Sequence, residues 1–478
     1  MVCSFRRCVK IVTALIVTQV ILSIKNWIEM RDVRLRDEII IKGRVEKPDE
    51  YPFQDPPSFH DENCNEKKKN ILFLKTHKTA SSTVTSIFNR FADINNLSIA
   101  IPLYNNMFRW PYSFSKNSVD FLRLRLKSAN ILCNHAVYDR NEFFKVMITP
   151  FKTVTILREP VLQFYSAFYY GNFTKSFELQ QYRDPVEQYI KNPRKYYRYF
   201  RKIGSLHFLL QNSQSFDLNF PRFSKRLYNN TFTDFLNYLN KSLDFVMISE
   251  YFDEAAIMLK DMLCWSYMDI VYTKKMISVD LNYKTTTPSI NATTLIRSWN
   301  SLDVKLYDFF LKKFLSIKKT YNDKIFSKKL LNYKKLNKLV TEFCQIVKSE
   351  DQKSEDQIVK KQLYEQLNKT QSDENSIKKQ SDGQIIENQT DDQLVEEQSD
   401  DQSIEYQSNK RSVKKQNEIT AFLYEIGEEP PLVFLHQPKC FCNKISRSEI
   451  EYLRYFENKF PQYYYAKKKP HENAFYDC

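Results

Sequence analysis

Four short apolar runs, ILFL at 71–74, ILC at 131–133, KTVTIL at 152–157 and DFVMIS at 244–249, are separated by stretches with helical spacing. Strands that alternate with helices do not pair as hairpins; they build a mainly parallel α/β sheet flanked by helices. Such a sheet needs cover on both faces, and 478 residues with 42% hydrophobic and 15% aromatic content are enough to supply it, as one large domain or two ordinary ones. A fully disordered chain is excluded. Phosphate sites on sheets of this kind are often glycine-rich loops. This chain has only five glycines, so loops of the GxGxxG or GxxxxGK type cannot be assembled.

The first run nevertheless leads into a turn of unusual chemistry. ILFL is followed by KTHKTASST, residues 75–83, and then by VTSIFNRFADINN with helical spacing. Where a helix starts inside a turn, its first backbone N–H groups lack intrahelical acceptors and carry partial positive charge. Such an end captures anions. Thr79, Ala80, Ser81, Ser82 and Thr83 are placed to offer those N–H groups and several hydroxyls, with Lys78 as a mobile point charge. Val84, Ile87, Phe88 and Phe91 share one helix face and anchor the turn by packing. On this stretch alone, an ordinary Ser/Thr cap beside surface lysines competes evenly with the anion site.

A second motif shifts the balance. In TVTILREPVLQFYSAFYY the strand from Thr153 to Leu157 ends at Arg158, Pro160 suits the first turn of a helix, and Ser166 lies on that helix. Arg158 thus stands on the edge where open α/β sheets bind ligands, and its guanidinium can grip a phosphate through two donors, with Ser166 adding a third. Two anion sites on one edge suit a ligand with phosphate at both ends.

The N-terminus gives the compartment. Arg6, Arg7 and Lys10 precede Ile11 to Ile24, which carries no charge, and Lys10 can snorkel to extend the apolar stretch to Val9. We read residues 1–8 as a cytoplasmic tail, 9–24 as an uncleaved signal-anchor transmembrane helix and 25–69 as a charged, proline-bearing lumenal stem. A cleaved signal peptide fits less well, because Ile21 to Asn26 has no small-x-small site. Seven sequons, at Asn96, Asn172, Asn229, Asn240, Asn291, Asn368 and Asn388, agree with lumenal exposure. So does cysteine usage: Cys64, Cys133, Cys264, Cys344, Cys440, Cys442 and Cys478 meet an oxidising compartment, and seven being odd, at least one is left out of intrachain pairing.

From Thr293 to about Val347 the pattern is helical and basic, read as a solvated helical face. Nine-residue repeats come next, SEDQIVKKQ at 354–362 and then SDENSIKKQ, SDGQIIENQ, TDDQLVEEQ and SDDQSIEYQ from Ser372 to Gln407. Residues 350–407 hold 16 acidic residues against 6 lysines, so the rest of the chain carries about +25 where the whole has a formal +15. We expect 349–420 to be a polar disordered insert, with order resuming near Phe422. His436, Cys440 and Cys442 could suggest zinc, but without a second Cys or His pair a disulfide is the better reading.

With these residues in view, KTHKTASST resembles the 5′-phosphosulfate loop, and LREPVLQFYSAF the 3′-phosphate motif, of Golgi sulfotransferases that use 3′-phosphoadenosine 5′-phosphosulfate (PAPS). The chain looks like a galactose 3-O-sulfotransferase, the family of cerebroside sulfotransferase. The likeness continues through CNHAVYD (133–139), SEYFDEAAIMLKDMLCW (249–265), SWNSLDVKLYDFF (298–310) and CFCNKISRSEIEYL (440–453). It implies a P-loop-like sulfotransferase fold, with 70–348 as the catalytic domain and 421–478 as its C-terminal part. It also implies transfer of a sulfuryl group from PAPS, with no metal, to the 3-hydroxyl of a terminal β-galactose on a glycolipid or glycan. The implied setting is a single-pass type II Golgi membrane protein, lumenal and compatible with a homodimer.

Residue by residue, Lys78 matches the lysine on the 5′-phosphosulfate, with Lys75 assisting; Thr76, Thr79, Ala80, Ser81, Ser82 and Thr83 complete the loop, and Arg158 and Ser166 take the 3′-phosphate. His77 and His135 both match family histidines and either can serve as the base; His135 resembles the base of uronyl 2-O-sulfotransferases. Ala80 stands where many such loops carry Gly, and Glu159 replaces the commoner Asp. Another Golgi carbohydrate O-sulfotransferase of the uronyl 2-O type, or an inactive glycan-binding relative, is the alternative; the latter should lack a lysine or base, and here both survive. A nucleic-acid-binding role, suggested by charge and aromatics, is opposed by the anchor and sequons. A nucleotide kinase is opposed by the missing GxxxxGK.

Overall fold

The computed structural model describes residues 64–124, 127–220, 232–273, 287–378 and 411–459. Contacts divide the chain into two units. One, residues 1–55 with 221–230, lies outside the described residues, as do the expected tail, anchor and most of the stem; the other, residues 56–220 with 231–478, contains every described element. Among the described residues no helix is long and apolar enough to cross a membrane.

The four apolar runs become four strands, β1 (Ile71–Leu74), β2 (Ile131–Leu132), β3 (Lys152–Leu157) and β4 (Phe245–Ile248). They form one sheet in the order β2-β1-β3-β4 with every pair parallel, Ile71 opposite both Ile131 and Lys152, and Leu157 opposite Ile248. All of β1 and β4 is buried, as expected of strands covered on both faces. Because the strands are parallel and adjacent, β1, β2 and β3 deliver their carboxyl ends to one edge.

Helix α1 (Ser81–Ile94) follows β1, and Val84, Ile87, Phe88 and Phe91 are its fully covered face. Helix α2 (Pro160–Tyr170) follows β3; Pro160 fills its first turn, where no N–H is needed, and Glu159 caps it by accepting from the Leu162 amide. Further along come α3 (Ser213–Asp217), α4 (Phe252–Leu263), α5 (Ile290–Trp299) and α6 (Ser301–Lys319). The longest helix, α7, spans Asp323–Lys378.

Two expectations change here. The basic segment is not simply a solvated face, because Tyr333, Leu336, Val340, Phe343 and Val347 form a buried seam along α7 at alternating steps of three and four. Nor does order stop near 348. Helix α7 continues to Lys378, and 411–425 is helical again, so both ends of the expected disordered insert are helix; 379–410 lies outside the described residues. The physical reason is composition: 349–378 contains no proline or glycine and is rich in Gln, Glu and Lys, all good helix formers.

The C-terminal part returns to helix α1. Cys344 on α7 is joined to Cys442 on α8 (Pro438–Ser446), and Cys64, ahead of β1, to Cys264 after α4. Cys442 is thereby excluded from a zinc site, while Cys133 and Cys440 are buried and belong to neither of these two disulfides. The last described helix, α9 (Glu449–Lys459), packs on α1. There Asp93, whose side chain is fully covered, accepts from Lys444, from Lys459 at 2.8 Å and from the Tyr455 hydroxyl at 2.7 Å. Those cations keep its carboxyl below the usual range despite burial.

Candidate active site

Three neighbouring strand tips carry the candidate residues: Lys75, His77 and Lys78 after β1, His135 shortly after β2, and Arg158 after β3. They converge on the turn 75–80. Lys78 and Ala80 both adopt left-handed backbone, at φ 63° and 67°. Residues of this conformation turn successive N–H groups to one side, as in backbone anion cradles. Among the described residues the amides of Thr79, Ala80, Ser81 and Ser82 meet no acceptor, while that of Thr83 donates to the Ala80 carbonyl at 3.0 Å. An alanine held at positive φ is strained by about 1 kcal/mol. Ala80→Gly should therefore raise unfolding stability by about 0.5–1 kcal/mol, read as a higher denaturation midpoint at unchanged slope.

The hydroxyls behave differently from the sequence expectation. Thr76 Oγ1 donates to the Ile156 carbonyl, Thr79 Oγ1 lies 2.8 Å from Thr76 Oγ1, and Ser81 Oγ donates to the Thr76 carbonyl at 2.6 Å. All three residues are buried, and a buried hydroxyl needs an acceptor. They tie the turn to itself and to β3 and do not face outward as ligand donors. The half-buried Ser82 instead donates to Glu449 Oε2 at 3.2 Å.

His77 is held from three sides. Its amide donates to Asp217 Oδ2 at 2.8 Å, its Nδ1 lies 2.9 Å from the same oxygen, and its carbonyl accepts from Gln163 Nε2 at 3.0 Å. A carboxylate only accepts, so Nδ1 carries a ring proton, and in the neutral ring Nε2 is the lone-pair acceptor. The Trp110 indole donates to Asp217 Oδ1 at 2.9 Å and packs 4.6 Å from the His77 ring. His77 also stacks on His135, centroids 3.8 Å apart and planes 12° apart.

His135 has both nitrogens engaged. Lys75 Nζ, which only donates while charged, is 3.0 Å from Nε2, and Nδ1 is 3.2 Å from the Lys75 carbonyl. Burial first, and then the neighbouring His77 and Lys75, hold the His135 pKa well below the ordinary histidine value, so the ring is neutral at physiological pH. Lys75 is itself paired with Glu449 at 2.6 Å, both side chains out of water.

Lys78 is half-buried, its ammonium 4.0 Å above the Tyr170 ring. Burial, then Arg158, then Lys75 lower its pKa to about 8. Arg158 Nη1 donates to the Lys78 carbonyl at 3.1 Å, so the guanidinium rests on the backbone of the turn that carries the Lys78 ammonium. Ser166 is buried on α2 one turn before Tyr170, on the same side of the helix.

Sequence reasoning missed four supporting residues. Asp217 orients His77, Gln163 donates to His77 and to Ser213 Oγ at 2.7 Å, and Gln214 brackets Arg158 by accepting from its amide and donating to its carbonyl, both at 2.9 Å. Gln214 and Asp217 sit on α3, whose start is capped by the buried Asp303: it accepts from the Gln214 and Ser215 amides at 3.1 and 2.7 Å. The fourth is Glu449. None carries a local signal, because each partner is 50 or more residues away in sequence.

The geometry offers one anion site at Lys78 and the turn amides, a second cationic group at Arg158, and a proton acceptor at His77 Nε2. Comparison with known proteins points the same way. A family model described as galactose-3-O-sulfotransferase matches residues 12–383. Human galactose-3-O-sulfotransferase 3 is 32% identical over 272 residues, 55% of this chain and 60% of that protein. Human galactosylceramide sulfotransferase is 30% identical over 257 residues, 52% and 57%, and mouse galactose-3-O-sulfotransferase 2 is 32% identical over 257 residues, 51% and 61%. The chain thus spans about three fifths of these relatives' length. A family match that runs through most of the sequence and takes in all three strand tips leaves one conclusion: the chain belongs to the galactose-3-O-sulfotransferase family.

Proposed function

We propose that this chain transfers a sulfuryl group from PAPS to the 3-hydroxyl of a terminal β-galactose on a glycolipid or glycan, on a P-loop-like sulfotransferase scaffold. The observation that carries the reading is the docking of the Arg158 guanidinium on the Lys78 carbonyl, which sets the β3 tip against the turn bearing Lys78 and the amides of 79–82 and supports two cationic ends for a doubly phosphorylated nucleotide. The acceptor hydroxyl oxygen attacks sulfur, the bond from sulfur to the leaving phosphate oxygen breaks, and that oxygen keeps the electron pair. The hydroxyl proton passes to His77 Nε2, whose Nδ1–H is fixed on Asp217. Lys78 meets the charge that develops on the leaving phosphate, and the product is adenosine 3′,5′-bisphosphate. Of the two candidate histidines His77 suits the base better, since His135 has no nitrogen to spare.

Two disulfides between distant segments support the lumenal setting expected from the N-terminal anchor and the sequons, and we assign the reaction to the Golgi lumen. The test is to incubate the full-length chain in detergent with radiolabelled PAPS and a panel of β-galactosides, galactolipids and free glycans among them. Label on O3 of galactose is the expected result. Label on a uronic acid would favour the 2-O alternative, and no label on any acceptor would remove the enzymatic reading.

A further inference from the structure

Lys75 and Glu449 are 3% and 8% exposed, and their charged atoms are 2.6 Å apart. A buried pair of this sort adds little net stability, yet losing one partner is costly because it strands the other charge. What the pair provides is fixed geometry. One carboxylate oxygen, Oε2, takes both the Lys75 ammonium and the Ser82 hydroxyl, while Oε1 is buried and, among the described residues, without a hydrogen-bond partner. The carboxylate is therefore aimed by the loop groups it holds and not by its own surroundings. Most buried polar atoms in folded proteins find a partner, so this one calls for an explanation. Charge points the same way: Lys75 and Glu449 neutralise each other, so the attraction of an anion is left to Lys78 and Arg158, and Lys75 is free to act on His135.

We propose that Glu449, at the start of helix α9, is a positioning residue of the transfer site: it pins Lys75 and Ser82, and through Lys75 fixes the His135 ring on which His77 stacks. The inference rests on the sulfotransferase reading for what the site does, though not for the contacts. It makes the C-terminal segment, tied back by the Cys344–Cys442 disulfide, part of the site and not an appendage.

Glu449→Gln, Glu449→Asp, Lys75→Met and the Lys75→Met/Glu449→Gln pair are compared with wild type in the full-length chain, by kcat, KM for the labelled galactoside, and calorimetric affinity for adenosine 3′,5′-bisphosphate. Glu449→Gln should lower kcat about 10- to 100-fold while acceptor KM and bisphosphate affinity stay within about threefold, and Glu449→Asp should recover part of the loss. In the Lys75→Met background the same change should cost less than about twofold, since it acts through Lys75. Wild-type kcat in Glu449→Gln, kcat and bisphosphate binding lost in proportion, or an equal loss with and without Lys75 would each overturn the proposal. Thermal midpoints provide an arm that needs no activity: Glu449→Gln should melt below the charge-balanced double variant, and the opposite order would overturn the pairing. If wild type itself neither labels galactose nor binds the bisphosphate, the transferase reading fails while the melting order still judges the contact.

Discussion

His77→Ala is expected to lower kcat/KM for galactose labelling by about 10²- to 10⁴-fold, the range set by loss of a positioned general base. Binding of adenosine 3′,5′-bisphosphate should survive within about threefold, because in the proposed reaction the histidine serves the proton and not the nucleotide. Hydrogen-bond direction is the reason. Asp217 accepts from Nδ1, which fixes one tautomer and leaves Nε2 bare, whereas Lys75 fills Nε2 of His135. His135→Gln should accordingly retain at least about tenfold more activity than His77→Ala, since it removes a stacking partner and not the acceptor of the proton. Asp217→Asn adds a check: an amide can donate, which permits the wrong tautomer, and a loss of order 10⁴ accompanies that change in the serine-protease triad. Equal activity of His77→Ala and wild type would remove the base assignment.

Lys78→Ala is the second large effect, about 10²- to 10³-fold in kcat, the usual consequence of removing one donor aimed at developing negative charge. Its pH dependence has a defined sign. Burial first, then Arg158 and Lys75, bring the Lys78 pKa down to about 8, and the working form is the ammonium. Activity that depends on it is present below that value and lost as pH rises through it, so kcat/KM, which reports the free enzyme, should show an alkaline limb near pH 8. Lys78→Arg should flatten that limb, since a guanidinium stays charged, though the planar fork will not restore full kcat. A limb unchanged in Lys78→Arg would assign it to another group.

The parts of this site that the sequence reveals are the local ones. Apolar runs of four to six residues mark the longer strands, because a buried parallel strand has no polar face to interrupt it. The turn 75–83 and the Arg158 step are legible for the same reason: each is a strand end followed directly by a helix start. Local reading fails where a side chain's partner is remote. Asp217 lies 140 residues from His77, and Glu449 lies 374 from Lys75. No periodicity links such pairs. The hydroxyls of Thr76, Thr79 and Ser81 mislead because a run of Ser and Thr looks like a set of ligand donors until burial forces each to find an acceptor inside the turn. The acidic repeat misleads for the reverse reason: polarity argues for disorder, while the absence of proline and glycine in its first part lets α7 continue to Lys378.

One nucleotide gripped at both phosphate ends, by Lys78 with the turn amides and by Arg158, is the premise on which the proposed reaction stands. Calorimetric titration of the full-length chain with adenosine 3′,5′-bisphosphate and, separately, with adenosine 5′-monophosphate tests it most directly. Saturable binding of the bisphosphate is expected, at least about tenfold tighter than the monophosphate, with the difference erased by Arg158→Ala, as befits loss of one charge-assisted phosphate contact. Equal affinity of wild type for the two nucleotides, or no binding of either, would contradict it.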